Sequence, residues 1–187
     1  MAASPVTGCV IVNGMPGAGK STVTALAARL VTRGAQVKGD DLNQMILSGR
    51  VGFGREPADE AQRQGELCNR NMCSLASNFV DFGFTVFIDT VVADCAELDE
   101  LVDWLAPRPI RLVTLAPGIE VCQYRNATRT PSDRFAFDGY ERLEGDMWRD
   151  LGHLGWWFDT SALTPAQTAE QLVRETADRA RLLVRPA

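Results

Sequence analysis

The sequence predicts an α/β fold in which a parallel β-sheet is covered by helices on both faces. Five short apolar runs of strand length alternate along the 187 residues with segments of helical periodicity. Strands that are joined by helices run parallel. The runs are apolar throughout, which is typical of strands that are buried on both faces. We therefore expect three layers, with one sheet between two layers of helices.

The predicted strands are spread over the whole chain. They are Cys9–Asn13, Ala35–Lys38, Phe84–Asp89, Ile110–Leu115 and Trp156–Asp159. The helical segments between them include Glu60–Phe82, which is the longest, and Ile119–Thr128. Thr164 with Gln167 has the spacing of a capping box before the last helix. No repeat or linker interrupts this pattern, so residues 1–187 are predicted to form a single domain.

The composition excludes several classes of protein. Apolar residues make up 45% of the chain and charged residues 23%, which is ordinary for a globular protein. The net charge of −5 argues against a nucleic-acid or membrane-surface partner. No apolar run approaches the roughly 20 residues of a membrane span, and no secretory signal is expected. Five irregularly spaced cysteines and one histidine fit neither a zinc site nor a disulfide framework, so we expect reduced thiols in a cytoplasm.

Residues 14–21 read Gly-Met-Pro-Gly-Ala-Gly-Lys-Ser, which fits the P-loop pattern G-x-x-x-x-G-K-S. The motif follows the first predicted strand and opens a helix, so its backbone N–H groups and the helix N-terminus can bind phosphate. Lys20 is predicted to reach the β- and γ-phosphate oxygens as a catalytic charge, and the Ser21 hydroxyl to ligate Mg²⁺. The predicted ATP-binding residues are Gly14, Met15, Pro16, Gly17, Ala18, Gly19, Lys20, Ser21, Thr22 and Arg125.

Two carboxylates, Asp40 and Asp41, follow the second predicted strand. Ligands of such sheets bind at the carboxyl ends of the strands. One of the two is predicted to be the general base that accepts a proton from a substrate hydroxyl, and both are predicted to contact the substrate. Asp40 is favoured as the base because it is nearer the strand. The alternative is that either residue caps a helix over Leu42–Leu47.

Asp89 closes the third predicted strand, after four apolar residues. A carboxylate in this place beside a P-loop is the Walker B arrangement, which holds Mg²⁺ directly or through water. The alternative is a helix or turn cap. Asp89 and Ser21 are thus the predicted metal-site residues.

Three arginines follow the fourth strand and are predicted to belong to a small lid over residues 125–139. Arg125 and Arg129 are predicted to stabilise the transferring phosphate, and Arg134 to contact the substrate. The alternative is a solvated arginine face. On the acceptor side, a helical segment is expected over about 41–82, and Phe53 lies in a glycine-rich stretch that forms either a substrate-binding flap or a plain loop.

The P-loop, the strand-end aspartates and the arginine lid together resemble the nucleoside-monophosphate-kinase-like family of small kinases. Within it, the motifs are most similar to those of chloramphenicol phosphotransferase. This resemblance implies the strand order 2-3-1-4-5 and places the family's base on Asp40. Thr90 departs from the pattern, because that enzyme has a second aspartate there. Gly39-Asp40-Asp41-Leu42 also resembles the polynucleotide 5′-kinase pattern.

These observations predict an ATP-dependent phosphotransferase that moves the γ-phosphate to a hydroxyl of a small molecule, such as an antibiotic or another secondary metabolite. One alternative is a nucleotide or polynucleotide 5′-end kinase, for which Arg50, Arg55, Arg63 and Arg70 are available on the acceptor side. Another is a regulator that binds ATP without acceptor chemistry. The guanine signature N-K-x-D is absent from the sequence, which favours ATP over GTP. The acceptor and the oligomeric state stay open.

Overall fold

The computed structural model describes residues 6–52, 54–130, 134 and 137–183. They form a five-stranded sheet in the order β2-β3-β1-β4-β5, and all four strand pairings are parallel. The strands are β1 Cys9–Asn13, β2 Gly34–Lys38, β3 Thr85–Asp89, β4 Ile110–Leu115 and β5 Trp156–Phe158. The predicted fold class and strand order are therefore confirmed.

Helices connect these strands and flank the sheet. They are α1 Lys20–Leu30, α2 Gly39–Gln44, α3 Ala58–Asp81, α4 Cys95–Leu105, α5 Ile119–Ala127, α6 Tyr140–Leu151 and α7 Pro165–Arg179. The capping box of Thr164 and Gln167 at the start of α7 is present as predicted. No helix among the described residues is both long and apolar enough to span a membrane.

Three strand ends and both ends of the long helix differ from the prediction by one or two residues. Phe84 was predicted to begin β3, but its N–H donates to the Phe79 carbonyl oxygen at 3.0 Å and closes the turn after α3. Asp159 was predicted to end β5, but its carboxylate accepts from the Ser161 N–H at 2.9 Å and begins a turn. In both places a local hydrogen bond competes with the ladder of the sheet.

Two helical predictions need larger corrections. The acceptor-side segment over 41–82 is two helices, α2 and α3, and the described residues between them are not helical. The sequence did not predict α6, which follows the lid. Its few apolar residues recur at helical spacing, so the signal was present, but most of its 12 residues are polar and only Tyr140, Met147 and Leu151 are buried.

The core lies on both faces of the sheet. Side chains alternate along β1, so that Val10 and Val12 pack on the face covered by α1 and α7. Cys9 and Ile11 pack on the opposite face, with α3 and α4. All five residues of β1 are buried, which explains why this strand reads as a continuous apolar run. The carboxyl ends of β1, β2 and β3 meet at one edge, where the P-loop, Asp40 and Asp89 lie.

Candidate active site

At three positions the backbone of the P-loop has a conformation that favours glycine. Gly14, Gly17 and Gly19 have φ values of 143°, 88° and 98°, which side chains other than glycine rarely adopt. A Cβ atom on Gly14 would also lie 2.7 Å from the Leu115 carbonyl oxygen. The Ala18 N–H donates to the Met15 carbonyl oxygen at 3.0 Å, and α1 begins at Lys20. The loop therefore leads from β1 into a helix N-terminus, as phosphate binding requires.

Lys20 bends back across the loop. Its Nζ donates to the Gly14 carbonyl oxygen at 2.7 Å and to the Met15 carbonyl oxygen at 3.2 Å. Desolvation lowers the pKa of Lys20, and the charges of Asp89 and Asp40 oppose this effect. The ammonium group thus lies over the loop, with two carboxylates in electrostatic range.

Asp89 and Ser21, the two residues predicted to hold Mg²⁺, lie within hydrogen-bonding distance of each other. Asp89 ends β3 and is only 6% exposed. Burial raises the pKa of Asp89, while the charge of Lys20 and a hydrogen bond from the Ser21 side chain oppose the shift. Burying a carboxylate costs free energy unless a cation compensates it.

The oxygens of Asp89 and Ser21 fit Mg²⁺, which binds through one or two carboxylates together with the phosphates of its substrate. The described residues contain no cluster of three histidine, cysteine or acidic side chains that could hold a metal by itself. A magnesium ion here would therefore depend on the bound nucleotide.

The two aspartates that follow β2 have different partners in the structure. Both lie in the first turn of α2. The N-cap of this helix is Lys38 and no side chain caps it, so the alternative of a helix-capping role is wrong for both aspartates. Asp41 Oδ1 accepts from Lys38 Nζ at 2.6 Å. The carboxylate of Asp40 is exposed and forms no hydrogen bond or ion pair with the described residues. It interacts electrostatically with Lys20 and Asp89.

The arginines of the predicted lid lie at different distances from the loop. Arg125 Nη1 donates weakly to the Ala18 carbonyl oxygen at 3.4 Å, so its guanidinium group lies against the P-loop. Arg129 is exposed, and its charge acts on Lys20.

Of the other residues predicted to contact the substrate, Arg134 lies apart from these contacts. Arg134 donates from Nε to the Arg129 carbonyl oxygen at 3.2 Å and lines a cavity of about 560 Å³ beside α5 and α6. Phe53 and lid residues 131–133 and 135–136 lie outside the described residues.

A family model described as an AAA domain matches residues 9–144, which is most of the chain. The chain belongs to this AAA domain family. No curated protein matches the chain. The matched residues include the P-loop, Asp40, Asp89 and Arg125 of α5.

Solved structures, kinases among them, share its fold at low sequence identity. A tunicamycin resistance protein from Deinococcus radiodurans is 15% identical, with a TM-score of 0.68, and the match covers 94% of this chain and 98% of that one. A sugar kinase from Janibacter sp. HTCC2649 is 17% identical, with a TM-score of 0.63 and coverages of 92% and 96%. Thymidylate kinase from Candida albicans is 12% identical, with a TM-score of 0.64 and coverages of 97% and 100%.

These likenesses establish the P-loop kinase fold, as the sequence predicted. The finer resemblance to chloramphenicol phosphotransferase is not confirmed by them and stays a prediction.

Two side-chain contacts of the AAA domain, one of them buried, were not predicted from the sequence. Asn13, at the end of β1, is fully buried, and its amide pairs with the backbone of Val92: Nδ2 donates to the carbonyl oxygen at 3.1 Å, and Oδ1 accepts from the N–H at 2.9 Å. Gln36 Nε2 on β2 donates to the Ser21 carbonyl oxygen at 2.8 Å. An amide that ends an otherwise apolar strand was the only available signal for Asn13.

Helix α3 packs beside the start of α2, where Asp40 lies. Cys68 Sγ contacts the Gly39 carbonyl oxygen at 3.2 Å. Asn69 Nδ2 donates to Glu97 Oε1 at 3.1 Å, and Glu97 Oε2 accepts from the Ala93 N–H at 3.1 Å. Burial raises the pKa of Glu97. These contacts connect α3 to the start of α2 and to the segment that follows Asp89.

Proposed function

We propose that the chain is an ATP-dependent phosphotransferase that moves the γ-phosphate of ATP to a hydroxyl group of a small molecule, with Asp40 as the general base. The observation that carries this proposal is the carboxylate of Asp40, which has no ion-pair partner among the described residues yet acts on the P-loop lysine and on Asp89. In addition to Asp89, the carboxylate of Asp40 would repel the negatively charged phosphates of a bound nucleotide. A site that only bound a nucleotide would gain nothing from it, whereas a transfer site needs a base.

Each charged residue has a role in the proposed reaction. The P-loop N–H groups and the N-terminus of α1 bind the phosphates, and Lys20 exchanges its loop carbonyl partners for phosphate oxygens. Asp40 takes the proton of the acceptor hydroxyl while that oxygen forms a bond to the γ-phosphorus. The bond between the γ-phosphorus and ADP breaks, and Lys20, Arg125 and Arg129 balance the charge on the oxygens. When bound at Ser21 and Asp89, Mg²⁺ would neutralise phosphate charge.

The arginines of the acceptor side favour an acceptor without a phosphate group. On α3, Arg63 pairs with Glu60 at 3.3 Å, and Arg70 pairs with Glu66 at 2.9 Å. The guanidinium group of Arg70 also lies over the ring of Trp104, with 5.3 Å between its carbon atom and the ring centroid. Two of the four available arginines are therefore engaged along α3. To bind a nucleotide acceptor, these guanidinium groups would have to face the phosphate of the acceptor instead.

The kinase fold shared with a sugar kinase and a tunicamycin resistance protein supports a hydroxylated acceptor, and it supports including antibiotics among the compounds to be tested. The shared fold with a thymidylate kinase is the reason to test nucleotides as well. Because the sequence identities are low, these three likenesses guide the choice of compounds to test and do not indicate which substrate the protein uses.

An ATP-consumption screen tests the proposal. Purified protein is incubated with Mg²⁺–ATP and separate panels of hydroxylated metabolites, antibiotics, nucleoside monophosphates and 5′-hydroxyl oligonucleotides. We expect a hydroxylated small molecule to gain the mass of one phosphoryl group, and Lys20→Ala to lose this activity. Transfer confined to the monophosphates or oligonucleotides would establish the alternative kinase. Tight ATP binding with no transfer in any panel would favour a regulator.

A further inference from the structure

Gln36 joins an edge strand of the sheet to the phosphate-binding end of α1. Among the residues that the structure describes, β2 lies at the edge of the sheet and pairs with β3 on one side only. Ala35 and Val37 of this strand pack on the face covered by α3 and α4. Because side chains alternate along a strand, Gln36 points to the other face, where α1 lies.

The amide of Gln36 donates both of its hydrogen atoms to the first turn of α1. Nε2 donates to the Ser21 carbonyl oxygen at 2.8 Å and to Thr24 Oγ1 at 2.7 Å. Thr24 is fully buried, and its hydroxyl donates in turn to the Lys20 carbonyl oxygen at 2.8 Å. The contact therefore reaches the backbone of Lys20 and Ser21, which end the P-loop and begin α1.

The other end of β2 approaches α1 through the backbone alone. A Cβ atom on Gly34 would overlap the carbonyl oxygen of Ala28. This close approach sets the separation of the strand and the helix. The hydrogen bonds of Gln36 are directional, so they also fix the position of the strand along the helix.

We propose that Gln36 is a positioning residue, which fixes the distance between the phosphates bound at the P-loop and the base Asp40. This inference rests on the proposed function and deepens it. Asp40 follows the end of β2, whereas Lys20 and Ser21 lie on α1, and the amide of Gln36 bridges the two elements. Transfer needs the acceptor oxygen close to the γ-phosphorus, and a displacement of about 1 Å can lower the rate by about 10²-fold.

Turnover and ATP affinity are measured on variants of the contact, with the acceptor found by the screen. Gln36→Met keeps the length of the side chain and removes both donors. We expect its turnover to fall by roughly 10- to 10²-fold, while ATP affinity by calorimetry stays near the wild-type value. Thr24→Val removes one acceptor and should lower turnover less, whereas Thr24→Ser keeps the hydroxyl and should resemble the wild-type protein.

The double variant Gln36→Met/Thr24→Val tests whether the two side chains act through one contact. Its loss of turnover should be smaller than the product of the two single losses, because both changes break the same hydrogen bond. A loss equal to that product would overturn the inference, and so would unchanged turnover in Gln36→Met.

Thr85→Val is the matched control for Thr24→Val. Thr85 begins β3, at the opposite end of the strand from Asp89, and its Oγ1 donates to the Val6 carbonyl oxygen at 3.1 Å. Both variants lose one buried hydroxyl, so both should unfold at lower urea concentration. Only Thr24→Val should lose turnover. Equal losses of turnover in the two variants would show a general effect of lower stability and would overturn the inference.

Hydrogen–deuterium exchange followed by mass spectrometry separates this inference from the proposed function, because it needs no acceptor. Exchange is compared for peptides that cover residues 20–25 and 36–41. Gln36→Met should exchange faster in both segments, and Thr85→Val should stay close to the wild-type rates. Unchanged exchange in Gln36→Met would overturn the inference. Faster exchange in a protein that transfers phosphate to no acceptor would contradict the proposed function and still support Gln36 as the residue that holds β2 on α1.

Discussion

Replacing Asn13 by alanine removes the contact that fixes the segment after β3 to the end of β1. Asn13 and Val92 are both fully buried, and two hydrogen bonds of 3.1 and 2.9 Å join the amide to the Val92 backbone. Alanine leaves one buried N–H and one buried carbonyl oxygen without these partners. Each unsatisfied group costs about 1–3 kcal/mol, so for the two groups we expect a loss of roughly 2–6 kcal/mol in the free energy of unfolding. This loss is a large part of the total free energy of unfolding of a typical domain, which is about 5–15 kcal/mol.

Urea unfolding followed by circular dichroism measures this loss. A lower midpoint with an unchanged m-value shows that stability, rather than the compactness of either state, has changed. Asn78→Ala is the matched control, because Asn78 is an exposed residue of α3 and its replacement should change stability by no more than about 0.5 kcal/mol. A loss below about 1 kcal/mol in Asn13→Ala would refute the reasoning, since it would show that the Val92 backbone finds other partners.

Three further predictions concern charged side chains. Lys20→Ala should weaken ATP binding by calorimetry and also lower turnover, and unchanged transfer would refute the P-loop assignment. Arg125→Ala should lower turnover by about 10²-fold, whereas Arg142→Ala, on the exposed side of α6, should not. Arg108 lowers the pKa of Asp81, so this ion pair stabilises the protein above the unfolded pKa of the carboxyl group and is lost as the pH falls through the folded value. The difference in urea midpoint between wild type and Arg108→Met should therefore shrink as the pH is lowered from about 6 to about 3.

The parts of the fold that local sequence determines could be predicted. β1 and β4 have their predicted bounds because each is a continuous buried run that stops at a polar residue or a turn. The P-loop is a contiguous motif, and its positive-φ glycines lie at the expected positions. The positions of Asp40 and Asp89 followed from the ends of their strands. Whether these residues perform the predicted chemistry remains for experiment.

The rest depends on contacts between residues far apart in the chain. Asn13 and Val92 are 79 residues apart, and nothing local to either indicates their pairing. The strand order came from a family resemblance, because apolar runs do not specify their neighbours. The helix α6 was missed even though its few apolar residues recur at helical spacing. The Lys38–Asp41 ion pair is local, but the sequence does not show which of the two aspartates the lysine side chain contacts.

The central claim is that Asp40 is the base of a phosphoryl transfer, and the most direct test compares turnover with ATP affinity in Asp40→Asn. With the acceptor found by the screen, we expect turnover to fall by roughly 10²–10⁴-fold while ATP affinity by calorimetry stays near the wild-type value. Asp178→Asn, an exposed carboxylate on α7, is the matched control and should retain full turnover. Near-normal turnover of Asp40→Asn with the same acceptor would contradict the claim.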